Sequence, residues 1–134
     1  MARFLRWALV PVAAIAGWYA ALLFGLAAIT GLDSLCPSDQ MVSEMCVAPW
    51  YATATGVVFA LCAALAAALV VAGGVLAAPS HRPAVAWIVF ACGALAALRL
   101  GVAASAWIPL ACALAAGSAS ALLLTRSRRL APAP

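Results

Sequence analysis

The chain has 134 residues, 69% of them hydrophobic and only 7% charged, with a mean hydropathy of +1.20. A soluble domain carries about a quarter charged residues, and one this small leaves much of its surface in water, so the composition excludes water as the solvent and implies a lipid bilayer. The net charge of +4 is that of seven Arg, with no Lys, against three acids. These arginines stand at the ends of apolar segments rather than on one basic face, which argues for membrane orientation and against a nucleic-acid partner.

A membrane-spanning helix needs about 20 mostly apolar residues. The first such stretch covers residues 7–29, preceded by Arg3 and Arg6. It is about 23 residues long, beyond the 7–15 of a signal-peptide core, so it reads as a retained span rather than a cleaved leader. A polar loop over residues 31–49 follows, with Asp33, Asp39 and Glu44, the only acids in the chain. The second span covers 50–78 and is closed by a short loop at 79–83 containing His81 and Arg82 between Pro79 and Pro83. The remaining apolar run, 84–125, is twice the length of one span and is broken only by Arg99. It reads as a tight helical hairpin of spans 84–100 and 106–125, turning near Gly101 to Ser105, with Pro109 tolerated in the first turn of the last helix. The tail, 126–134, is basic and then Ala/Pro-rich.

The fold class is therefore all-α, an integral membrane four-helix bundle. Four spans put both termini on one side, together with Arg3, Arg6, Arg82, Arg126, Arg128 and Arg129, while Arg99 and all three acids fall towards the other. This bias places the termini in the cytoplasm of a plasma or inner membrane and the loop 31–49 outside. Interfacial aromatics agree, with Trp7 and Trp87 on the inner face and Trp50, Tyr51 and Trp107 on the outer.

Lipid removes the hydrophobic drive between helices, so association leans on close approach at small residues. Rows spaced by four occur in every span: Ala13, Gly17, Ala21 and Gly25 in the first; Ala52, Gly56, Ala60, Ala64, Ala68 and Ala72 in the second; Gly93, Ala97 and Gly101 in the third; Ala113, Gly117 and Ala121 in the fourth. No Asp, Glu, Lys or His falls within a span. Intramembrane ionisable groups mark proton relays and ion paths, and the small four-helix multidrug transporters rely on a carboxylate in the first helix, where this chain has Trp18 and Tyr19.

Few residues are equipped for chemistry. Cys36 and Cys46 lie in the outer loop, where an oxidising setting favours a disulfide stabilising the loop by roughly 3 kcal/mol in the chain-entropy model. Quinone-linked membrane thiol oxidoreductases depend on a CxxC pair, which this chain lacks; Cys62, Cys92 and Cys112 stand singly in the later spans, as small hydrophobes. Arg99 reads as an interfacial anchor that snorkels to the outer boundary, paired with an acid such as Asp33 or Glu44, or else as a contact for a partner subunit or anionic ligand. Tyr19, near mid-span, wants a hydroxyl partner such as Thr53, Thr55 or Ser118. A lone His81 makes no metal site, and no nucleotide loop, catalytic triad, HExxH or carboxylate pair is present. The sequence thus predicts a protein without cofactor or metal, non-enzymatic, whose partners are the bilayer and other membrane subunits. A small channel or carrier for a neutral or lipophilic solute is the alternative, and it calls for an oligomer because four Ala-rich helices enclose little space alone. A thiol–quinone redox protein comes third.

Overall fold

A computed structural model of the chain describes residues 2–43, 45–78 and 80–126, with side chains from Trp7 onward. Four helices dominate it: α1 (Ala2–Ser34), α2 (Tyr51–Ala77), α3 (Arg82–Ala103) and α4 (Trp107–Arg126). All four contain stretches long and apolar enough to cross a membrane. They pack as a bundle, and the chain is a multi-pass membrane protein.

The helix ends obey local chemistry, with three departures from the expected boundaries. First, α1 runs on through Ser34, so Asp33 stands on a last helical turn rather than in a loop. Hydroxyls there bond backward, Thr30 to the Leu26 carbonyl at 2.9 Å and Ser34 to that of Gly31 at 2.7 Å, and no glycine or proline interrupts Leu32 to Leu35. Second, Gly101 lies inside α3, and the hairpin turns at Ala104 to Ala106 with Ser105 in the left-handed region at φ 53°. Third, α3 begins at Arg82 rather than after Pro83, which fits in the first turn because its missing N–H would have no helical partner there. The Arg82 Nε–H donates to the Ala78 carbonyl at 3.2 Å, closing the carbonyl end of α2, where a cation is also favoured by the helix dipole.

The packing explains the glycines. None of them has a positive φ; they serve close approach, not turns. A Cβ on Gly17 would stand 2.9 Å from the Leu69 carbonyl oxygen, one on Gly73 2.9 Å from that of Ala13, and one on Gly25 2.8 Å from Cys62 Sγ. The predicted row on α1 is thus its contact ridge with α2, with Ala21 fully buried in it. On α4, Gly117 lies under the Phe90 ring and Ala121 is fully buried.

The row predicted on α2 is not one ridge. Gly56 faces open space, and α1 instead meets Cys62, Leu69 and Gly73. A step of four residues overshoots a full turn by about 40°, so a row from Ala52 to Ala72 winds through roughly 200° and cannot face one neighbour. On α3, Gly93 likewise meets nothing, while Gly101 is packed against Leu110.

The helices are not symmetrically arranged. α2 is central, touching α1 on one side and both members of the α3–α4 hairpin on the other, whereas α1 makes scarcely any contact with α3 or α4. Where α1 begins and α4 ends, Val71, Val75, Ala86 and Ala121 form the buried core, flanked by Phe90 and Leu124. At the opposite end the α1–α2 connection carries a 3₁₀ turn, Ser38–Gln40, and a hairpin of β1 (Met41–Val42) and β2 (Met45–Cys46), with Met41 opposite Cys46 and Val42 opposite Met45.

Candidate functional site: apolar clefts beneath a stapled hairpin

Two features at the hairpin end are organised beyond what helix packing requires. The first is the connection itself. Cys36 and Cys46 form a disulfide with Cα atoms 6.0 Å apart, which ties the segment after α1 to β2. Val47 N–H donates to the Gln40 carbonyl, and Tyr51 N–H to that of Ala48, each at 3.0 Å. Cys46 and Ala48 are buried, so the connection rests on the helix ends instead of looping free. The Tyr51 hydroxyl donates to the Asp33 carboxylate, joining the last turn of α1 to the first of α2. Trp50 packs edge-on beside Tyr51 at 5.9 Å between ring centroids. One turn into α2, the Thr55 hydroxyl oxygen is buried without a hydrogen-bond partner among the described residues.

The second feature is a pair of clefts. One, of about 390 Å³, runs between α2, α3 and α4 and is walled by Ala67, Gly93, Ala97, Ala113 and Leu110, with Trp18 at its α1 side. The other, of about 870 Å³, lies between α1, α2 and the start of α4, walled by Leu22, Gly56, Ala60, Phe59 and Ile108. They share Trp18, Ala63, Ala66, Ala104, Ala106 and Pro109, so Trp18 stands between two halves of one apolar recess. The bulky contacts Phe90–Gly117 and Leu110–Gly101 set the helix separation, and the alanines between them are too short to fill the space. Thr53 contributes the only hydroxyl among the residues of either wall. The recess suits hydrocarbon and offers a polar ligand little beyond the Thr53 hydroxyl. It is also larger than the little space expected of four Ala-rich helices, because α1 leans on α2 alone and leaves its other side open.

The residues singled out from the sequence are not gathered in one place. Cys36 and Cys46 are together, and Asp33 is beside them in the fold, held by Tyr51. Glu44 lies outside the described residues, as do Pro79, Arg128 and Arg129. Arg99 is exposed and two residues beyond the cleft residue Ala97, about 200° round the helix, so it points away from the recess. The expected pairing with Asp33 is not made, since Asp33 belongs to the α1–α2 junction and α3 scarcely touches α1. Tyr19 differs from expectation too. It stands about 200° from the contact residue Gly17, is 56% exposed, and packs edge-on against Trp18 at 5.1 Å instead of burying its hydroxyl. The sequence reading missed Trp18 as the cleft divider and Tyr51 as the partner of Asp33. The first was legible from the helical angle to Gly17, whereas the second joins residues 18 apart across a connection whose path no local signal sets.

Of Cys62, Cys92 and Cys112, none is bonded; Cys62 fills the notch over Gly25 and Cys92 is exposed. No cluster of His, Cys, Asp or Glu able to hold a metal occurs among the described residues. No family model, curated protein or solved structure matches this chain.

Proposed function

We propose that the protein is a non-enzymatic membrane subunit whose helices pack against a larger membrane assembly. The observation that carries this reading is the lopsided bundle, in which α1 is held by α2 alone and leaves an apolar recess between itself and the α3–α4 hairpin. Small-residue walls allow backbones to approach closely in lipid, so the recess is shaped to seat a further apolar helix. The exposure of each span supports it as well, since even central α2 has only 6% of its most apolar window buried. The Arg distribution and the disulfide support a plasma or inner membrane with termini in the cytoplasm and the stapled hairpin outside.

Purification in a mild detergent, with and without Ala63→Leu and Ala97→Leu together, tests the reading. Copurification of another membrane protein with the unsubstituted chain, and its loss when the cleft is filled, is the expected result. A lone monomer from both preparations overturns it. The size and apolar lining of the recess also favour a second reading, a carrier for a lipophilic solute, since ligand sites span about 300–1,000 Å³. Flux of such a solute into liposomes containing the pure protein alone would move the conclusion there.

A further inference from the structure

The β1–β2 hairpin carries an apolar face that no other part of the described chain covers. In an antiparallel pair, opposed residues share a face and successive residues alternate. The register therefore puts Met41 and Cys46 on one face, that of the disulfide, and Val42 and Met45 on the other, together with Gln40 and Val47, which are bonded through their backbones. The disulfide face is the inner one, with Cys46 buried at 8% exposure. The opposite face is open, with Val42 57%, Met45 69% and Val47 61% exposed. Nothing in the fold requires apolar residues there. One face carries the bridge and the buried Cys46, with Met41 beside it 40% exposed, and the other could have been polar at no cost to either strand.

Charge distinguishes the possible occupants. The loop 31–49 contains three carboxylates and no Arg or Lys. Asp33 is engaged by Tyr51, while Asp39 is exposed on the 3₁₀ turn beside β1. Surfaces that seat in lipid headgroups combine apolar residues with cations that meet anionic lipid, and this face has the opposite sign. A second copy of the same hairpin would oppose carboxylate to carboxylate. A protein surface with an apolar hollow and a Lys/Arg rim matches both features, since protein interfaces have desolvated centres and charged margins. The covalent staple reduces the ordering cost that a free loop would incur on binding.

We infer that the Val42–Met45–Val47 face is a docking surface for a basic, aqueous-phase segment of a partner protein on the hairpin's side of the membrane. This rests on the subunit reading, and it assigns a second contact that lies outside the bilayer. The test is photocrosslinking in intact membranes of the full chain, with p-benzoylphenylalanine replacing Val42, Met45 or Val47 in turn. The expected result is an adduct to one protein whose crosslinked peptide is rich in Lys and Arg. Its yield falls at least about tenfold with Asp39→Lys plus Glu44→Lys, and with the acids in place it falls in 1 M salt, where the screening length shrinks to about 3 Å. Adducts to lipid alone, to a second copy, or to a peptide without basic residues overturn the inference, as does the absence of any adduct. If a membrane protein still copurifies through the recess in those cases, the subunit reading stands and only the aqueous contact falls.

Discussion

The two ends of this bundle are built from the same small residues and come out differently. At the end where α1 begins, glycines meet backbone carbonyls at distances that leave no room for a methyl group, and Ala86 and Ala121 are wholly enclosed around Val71 and Val75. At the hairpin end, Ala60, Ala63, Ala97 and Gly93 line open space. The difference lies in what each small residue faces. A glycine opposite a carbonyl or an aromatic ring closes an interface, as Gly117 does under Phe90; an alanine opposite another alanine leaves a cleft. Ala and Gly therefore carry no fixed meaning in lipid, where apolar surface left uncovered has no penalty comparable to that in water. The cleft end is held by the Gly25–Cys62 and Gly101–Leu110 contacts together with a disulfide and a Tyr51–Asp33 hydrogen bond.

The contrast can be broken most severely at the α1–α2 ridge. Gly17→Val with Gly73→Val would drive side chains into the Leu69 and Ala13 carbonyls, costing about 3 kcal/mol of bundle stability by overpacking, read by unfolding in mixed dodecyl sulfate micelles. Gly93→Ala, at an open position of the same helical kind, should instead stabilise by about 0.5–1 kcal/mol through the better helix former. Equal losses from both would remove the distinction between closed and open faces. Cys36→Ser should cost up to roughly 3 kcal/mol, with faster hydrogen exchange in residues 38–47 and unchanged protection around Val71 and Val75; loosening at both ends would mean that the ends are not independent. Ala121→Leu, at a fully buried site, should destabilise by about 2 kcal/mol, whereas Ala97→Leu, at a cleft wall, should change stability by less than about 0.5 kcal/mol. Thr55→Val, which removes an unpartnered buried hydroxyl, should stabilise by about 1 kcal/mol. A loss there would mean that the hydroxyl has a partner, such as bound water or the Tyr51 side chain one turn away.

Much of this was legible in the residues. Apolar runs of bilayer length between Arg-marked ends specify membrane helices, since backbone groups in lipid must bond within their own segment. The row Ala13–Gly25 predicted the face that α1 turns to α2, and Pro109 sits in the first turn of α4, as a residue without an N–H should. The α2 row failed because a spacing of four is a ridge only over a few turns. Asp33 and Tyr19 were misplaced for different reasons: the end of α1 depended on backward hydroxyl bonds that override a polar loop signal, and Tyr19 was read from its mid-span depth and not from its angle of about 200° to the Gly17 row.

The sequence by itself determined the solvent, the number of helices and the loop holding the cysteines, because these depend on composition, length and covalent chemistry along the chain. Which helix is central, which alanines close an interface and which line a recess, and that Asp33 meets Tyr51 were decided only by the tertiary structure. In lipid nearly every face of an Ala-rich helix is acceptable to the solvent, so hydropathy cannot choose among faces. That choice falls to shape: which glycine lies opposite a carbonyl, and which bulky side chain, Phe90 or Leu110, holds its neighbours apart.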